Sequence, residues 1–194
     1  MSYDNIALFD LDGTLVDFDT AMFRDLYAIA SPEDPYISDI SFPYPEYIKN
    51  RRAMIMRQPG WWRTLDELAV GFDVLCACLD IGFDIHVLTK GPKKNPNAAK
   101  EKIEWFERHV LPVAPDAKIT ISGDKGLVYG KVLVDDWPSY VEGWLEHRVR
   151  GLVVMPWHSY NASVKHPNVI HYNGTNISDV RTRLEEAYAR QPKQ

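Results

Sequence analysis

The segment Ile6-Ala-Leu-Phe-Asp10-Leu-Asp12-Gly13-Thr14 constrains this chain more than any other. An apolar run leads straight into two aspartates separated by one residue, and a glycine follows. Side chains at i and i+2 of an extended segment point the same way, so Asp10 and Asp12 face one site at the C-terminal end of a strand. Two carboxylates side by side repel, and they coexist by sharing a proton or a cation. A hard, oxygen-preferring ion such as Mg²⁺ suits them and also attracts phosphate. A calcium loop of the EF-hand type would need further oxygen ligands and a closing glutamate. Leu15, Val16 and Phe18 fill that stretch, and Ala21 stands where the glutamate belongs.

Three later segments repeat the theme of polar chemistry at the end of an apolar strand. Phe83-Asp-Ile-His-Val-Leu-Thr89 closes on a hydroxyl. Lys118-Ile-Thr-Ile-Ser122 runs into Gly123-Asp124-Lys125. Lys131-Val-Leu-Val134 runs into Asp135-Asp136. A threonine ending a strand or a lysine in a loop is ordinary by itself. Adjacent acids closing an apolar strand are not, because they repel and gain nothing structurally. Alternation points them to opposite sides, so one of the two reaches a metal directly.

These segments alternate with helical patterns, which predicts a parallel α/β sheet. Strands are expected at 6–10, 83–89, 117–122, 132–135, 151–155 and 169–172. Thr64-Leu-Asp-Glu67 reads as a capping box opening a helix with Leu68, Phe72, Leu75 and Leu79 facing inward. Ile103, Phe106 and Val110 mark a second inner face, and Val180, Leu184 and Ala187 a third. Residues 18–63 form an aromatic- and proline-rich insertion, with helices predicted over 21–30, with Phe23, Leu26 and Tyr27 on its apolar side, and over 47–56. The fold class is therefore α/β, a Rossmann-like parallel sheet sandwiched by helices, with a small helical cap inserted after the first strand. The core comprises 1–17 and 64–194.

With 194 residues, 45% of them hydrophobic, the chain can bury a full core. It shows neither an apolar run long enough to span a bilayer nor an N-terminal signal pattern, so no membrane association is expected. A net charge of −5 disfavours a polynucleotide partner, which would want a basic stripe. Cys76 and Cys78, two apart in a helical pattern, point to different faces and read as free thiols in a reducing cytosol.

The four strand-end segments, in this order, resemble the motifs of the haloacid dehalogenase superfamily, most of whose members are Mg²⁺-dependent phosphotransferases. The resemblance implies that Asp10 is the nucleophile that becomes an aspartyl phosphate and that Asp12 carries the proton. It also implies that Thr89 bonds the phosphoryl oxygens and that Lys125 offsets charge between nucleophile and phosphate. The metal would be held by the Asp10 carboxylate, the Asp12 backbone carbonyl and Asp136, with Asp135 behind it. Asp10 is expected to be oriented away from Lys125.

A closer resemblance is to the 5′(3′)-deoxyribonucleotidases, carried by Asp10 to Phe18, Pro59-Gly-Trp61-Trp62-Arg63, Leu88-Thr89 with Pro92, and Asp124-Lys125 through Gly130 to Asp135-Asp136. In that branch the insertion is the lid that chooses the substrate. Phe18, Trp61 and Trp62 are then expected to flank a base, with Arg63 holding the lid or reaching phosphate. Lys90, with Lys93 and Lys94 close behind, stands where those nucleotidases carry a small serine, and it could contact phosphate. The implied function is Mg²⁺-dependent hydrolysis of a deoxynucleoside monophosphate in cytoplasmic deoxyribonucleotide catabolism. Dimers are frequent in the branch, so a homodimer is a suggested assembly. The alternatives are a phosphatase for another small phosphomonoester, such as a sugar phosphate or phosphoglycolate, a nucleic-acid end processor, and a catalytically silent binding module.

Overall fold

The computed structural model describes residues 5–37, 43–91 and 95–191. Pro92, Lys93 and Lys94 lie outside the described residues. Six strands form one parallel sheet: β1 (Ile6–Phe9), β2 (Asp84–Thr89), β3 (Lys118–Ile121), β4 (Val132–Val134), β5 (Leu152–Pro156) and β6 (Val169–Tyr172). Their order across the sheet is β3-β2-β1-β4-β5-β6, so the chain crosses over beside β1. All neighbours pair in parallel. This matches the expected fold class, and each strand falls inside or within one residue of its expected span.

Central strands covered on both faces must be apolar throughout. β4 and β5 are buried along their whole lengths. Alternation divides the core in two. Ala7, Phe9, Val87, Val132 and Val134 join one cluster, while Leu8, Leu88, Leu133 and Val153 join the other. Against the first pack α3 (Ala69–Ile81), α4 (Pro96–His109) and α6 (Ile177–Ala189); against the second packs α5 (Pro138–His147). Val180, Leu184 and Ala187 are fully buried, as expected of the α6 face. Among the described residues no helix is long and apolar enough to cross a membrane.

The inserted segment contributes α1 (Phe18–Ala28) and α2 (Glu46–Ile55). The Asp17 carboxylate caps α1 by accepting from the Thr20 N–H at 3.2 Å. α1 buries Ala21, Met22 and Leu26, whereas Tyr27, expected inside, is exposed and donates to the Ile37 carbonyl. In α4 the buried residues are Ala98, Glu101, Lys102, Trp105 and Phe106; Ile103, expected inside, faces outward.

The capping box at Thr64 does not form. Trp62–Thr64 is a 3₁₀ turn and α3 opens only at Ala69, after an extended Leu68. Thr64 Oγ1 donates back to the Gly60 and Trp61 carbonyls, and Glu67 instead meets His109 Nδ1 at 2.8 Å. Both side chains thus have partners outside the helix start, which removes the reciprocal capping bonds. Cys76 is exposed and Cys78 buried, both free.

Candidate active site

Register gathers the four strand-end segments. β1 lies between β2 and β4, with Phe9 paired to both Val87 and Val134, so one step further brings Asp10 beside Asp135. After Asp10 the chain turns tightly: the Leu11 carbonyl accepts from the N–H groups of Thr14, Leu15 and Val16. Gly13 makes that turn with φ of +75°, a region that disfavours side chains. A Cβ there would also stand 2.6 Å from Asp136 Oδ2. Glycine is needed at position 13 twice over, for its backbone angle and for the carboxylate beside it.

Asp10, Asp135 and Asp136 are buried, and each presents an oxygen within 4.8 Å of the others. Lys125, also buried, bridges two of them, 2.8 Å from Asp10 Oδ2 and 2.7 Å from Asp135 Oδ2. The expectation that Asp10 is oriented away from Lys125 is therefore overturned: their opposite charges meet in a site nearly closed to water, where attraction is strong. Asp135 Oδ1 accepts from the Trp137 N–H at 2.9 Å, so both its oxygens are held by the protein. Asp136 is gripped by hydroxyls, Thr14 Oγ1 at 2.9 Å on Oδ1 and the Tyr160 phenol at 2.5 Å on Oδ2.

Asp12 has a different lysine. Lys102 Nζ, from α4, lies 2.5 Å from Asp12 Oδ2 and also donates to Thr89 Oγ1 at 3.1 Å. The result is a pair of half-held carboxylates. Asp10 and Asp12 each have Oδ2 on a buried ammonium, while each Oδ1 is buried without a hydrogen-bond partner among the described residues.

The electrostatics follow from this crowding. Burial, then the neighbouring acids, pushes Asp135 and Asp136 up to about 7 each, against the pull of Lys125 on both and of the hydroxyls on Asp136. Asp12 is raised by burial, with Lys102 opposing and Asp10 adding to the rise. Burial disfavours the charge on Lys125, but Asp10 and Asp135 more than offset this and hold it above the ordinary lysine range. Among the described residues, these four carboxylates share ion pairs with two ammonium groups, Lys102 and Lys125. The excess negative charge fits a small divalent cation bound through hard oxygen ligands, with Asp10, Asp135 and Asp136 close enough to share one.

Above these groups opens a cavity of about 490 Å³. Asp10, Asp12, Asp136 and Lys102 are among its lining residues, and so are Phe18, Trp62 and Lys90. Trp61, Arg63, Thr89, Lys125 and Asp135 are not. Trp61 donates from Nε1 to Asp25 Oδ2 at 2.7 Å, and Arg63 faces Glu104 at 3.5 Å. Phe18 and Trp62 stack on each other with centroids 5.6 Å apart, so a base would lie against the pair rather than between its members. Lys90 Nζ donates to the Tyr140 hydroxyl at 3.0 Å.

Several site residues carried no recognisable motif. Lys102 is one; its signal was the pair Glu101-Lys102 on the side of α4 that also carries Ala98, Trp105 and Phe106. Its neighbour Glu101 accepts from the N–H groups of Gly60 and Trp62, which ties the aromatic turn to the core. The loop after β5 supplies three more. Tyr160 reaches Asp136, Asn161 Nδ2 donates to the Asp136 carbonyl at 2.9 Å, and His158 Nε2 lies 2.8 Å from the Gly13 carbonyl.

Residues 4–173 match the model of a family described as 5′ nucleotidase, deoxy (pyrimidine), cytosolic type C protein. A Bordetella bronchiseptica protein provisionally named a 5′(3′)-deoxyribonucleotidase is 28% identical over 140 residues, 69% of this chain and 74% of its own length. The human 5′(3′)-deoxyribonucleotidase, cytosolic type, is 26% identical over 141 residues, 67% of this chain and 69% of its own. Among solved structures, a haloacid dehalogenase-type hydrolase from Entamoeba histolytica aligns with a TM-score of 0.53 at 10% identity, covering 93% of this chain and 99% of that one. One from Deinococcus radiodurans aligns with a TM-score of 0.52 at 13% identity, covering 96% and 97%. These two likenesses concern the fold.

Proposed function

The chain belongs to the family of cytosolic type C deoxy-pyrimidine 5′ nucleotidases, and from that premise we propose that it hydrolyses deoxynucleoside monophosphates through an aspartyl phosphate on Asp10. It is a phosphoric monoester hydrolase of the haloacid dehalogenase type, similar to 5′(3′)-deoxyribonucleotidases. The observation that carries the residue assignment is the pair of bare oxygens, Asp10 Oδ1 and Asp12 Oδ1, on the wall of one cavity beside Phe18 and Trp62.

Asp10 Oδ1 forms a bond to phosphorus while the bond from phosphorus to the sugar oxygen breaks, and Asp12 gives that oxygen its proton. The deoxynucleoside then leaves. Asp12 next takes a proton from water, whose oxygen attacks phosphorus and breaks the bond to Asp10, freeing inorganic phosphate. Lys125 anchors Asp10 through Oδ2, which keeps Oδ1 in line. Thr89 and Lys125 stabilise the phosphoryl oxygens. The Asp10 and Asp136 carboxylates with the Asp12 backbone carbonyl would hold Mg²⁺, which when bound neutralises charge on the phosphoryl group. Asp135, with both oxygens engaged, orients Lys125 and the turn to Trp137.

In this reading residues 18–63 are the lid over a core of 1–17 and 64–194. Phe18 and Trp62 offer the base an aromatic face, Trp61 and Arg63 hold the lid, and Lys90 adds positive charge to the cavity lining. The enzyme works in the cytoplasm on a small substrate, as a homodimer. Lys90 in the lining also favours a second reading, another small acidic phosphomonoester. Phosphate release from a panel of deoxynucleoside, nucleoside and sugar phosphates with Mg²⁺ separates the two. Deoxynucleotides should rank first, and Asp10→Asn should remove all turnover while keeping the fold. Undiminished activity in that variant would refute the assignment.

A further inference from the structure

Lys102 makes more contacts in the site than charge balance requires. Its Nζ donates to Asp12 Oδ2 at 2.5 Å, to Thr89 Oγ1 at 3.1 Å and to the Lys90 carbonyl at 3.3 Å. An ammonium has three donors, so all of them are engaged and its direction is fixed. It also lies 4.6 Å from the ring centre of Trp62, on the inserted segment, and it is only 3% exposed. Stacking against an aromatic face helps to keep a desolvated cation in place.

We infer that Lys102 is a positioning residue for the leaving-group half of the reaction: it clamps Asp12 by Oδ2, so that the bare Oδ1 is the atom that meets the departing oxygen. The inference rests on the proposed aspartyl-phosphate reading. Three observations separate this role from phosphate binding. Lys102 has no donor left for a phosphoryl oxygen; the anchor of Asp10 is a different lysine, Lys125; and, among the described residues, Asp12 has no other side-chain donor on Oδ2. Without the clamp Asp12 could rotate, and protonation of a poor leaving group would suffer before attack by Asp10 does.

The test compares two substrates in the first turnover by rapid quench with Mg²⁺ present. A deoxynucleoside 5′-monophosphate releases an alkoxide that needs a proton; p-nitrophenyl phosphate releases a phenolate that leaves without one. In Lys102→Met, which keeps an apolar stem beneath Trp62, the first-turnover rate on the nucleotide should fall about 10²- to 10³-fold, the range expected for loss of general acid catalysis. The p-nitrophenolate burst should fall by at least about tenfold less than the nucleotide rate does, because that step bypasses the acid. Lys102→Arg, whose planar fork cannot reproduce the three bonds, should show the same selectivity at smaller size and serves if the Met variant does not fold. Equal losses on both substrates, or no loss on either, overturn the inference. A wild-type protein that releases phosphate from neither substrate overturns the underlying reading instead.

Discussion

The Tyr160 phenol donates to Asp136 Oδ2 at 2.5 Å, linking the loop after β5 to the acid that follows β4. Thr14 holds the other oxygen, so the carboxylate is fixed at both ends before any ion arrives. Burial and the charge of Asp136 raise the Tyr160 pKa, and the phenol remains a donor throughout the physiological range. Such partners orient metal-binding groups, and their loss typically weakens binding about 10- to 100-fold. Tyr160→Phe should retain the ring stacked on His158 and weaken Mg²⁺ binding by about that factor. Calorimetric titration of the purified variant checks it, and an unchanged dissociation constant contradicts the role given to Tyr160.

The buried acids also predict a pH dependence of opposite sign to ordinary acid denaturation. Asp135 and Asp136 are raised from 3.8 to about 7 in the folded, metal-free protein. Between those values the native state holds more protons than the unfolded one, so this pair's contribution to stability is complete below 3.8 and is lost as pH rises to about 7. The proposed Mg²⁺ ion would bind the ionised form, so its stabilising effect should grow over the same window. Thermal unfolding in chelator and in Mg²⁺ across this range measures both trends. Asp136→Asn should flatten both.

The strand ends were legible in the sequence because their signal is local: an apolar run closed by an acid or hydroxyl marks both the β-strand and the functional end of a parallel sheet. The partners of those groups were not, because they depend on chain segments brought together from afar. Lys102 is 90 residues from Asp12, and Thr14 is 122 from Asp136. The Thr64-Leu-Asp-Glu67 pattern misled for the converse reason. Thr64 and Glu67 have the right types and spacing for a cap, but the carbonyls of Gly60 and Trp61 and the imidazole of His109 are better partners in the folded chain. The face of α4 was shifted for lack of the same knowledge, since Glu101 and Lys102 turn inward to meet the aromatic turn and Asp12.

Gly71 gives a test in which two effects oppose. It lies in α3, and a Cβ built on it would stand 1.8 Å from the Thr14 carbonyl oxygen, in the turn that follows Asp10 and Asp12. Intrinsic helix propensity alone favours alanine over glycine by about 1 kcal/mol. Backbone cannot yield as a flexible side chain can, and overpacking of this kind costs about 1–3 kcal/mol. Gly71→Ala should therefore lower Tm and reduce activity together, because relief of the clash displaces Thr14 from Asp136. A variant more stable than wild type would show that α3 does not brace the turn.

Trp61 and Trp62 are adjacent and equally buried, yet their variants should fail differently. Trp62 lines the cavity and stacks on Phe18, whereas Trp61 is edge-on to both rings and bonded to Asp25. Trp61→Leu leaves the cavity lining intact but removes the donor to Asp25 and the edge contacts with Phe18 and Trp62. Its expected effect is a loss of about 2–4 kcal/mol in stability, within the range for truncating large buried side chains, with KM nearly unchanged. Trp62→Leu removes the surface proposed to hold the base. An aromatic contact contributes about 0.5–1.5 kcal/mol beyond its area, so KM for a deoxynucleotide should rise up to about tenfold. KM for a phosphate ester without a base should change less, and steady-state kinetics on both substrates with melting curves for both variants separates the two roles. If the two variants behave alike, the aromatic turn has a packing role only, and the proposed contact of Trp62 with a base is refuted.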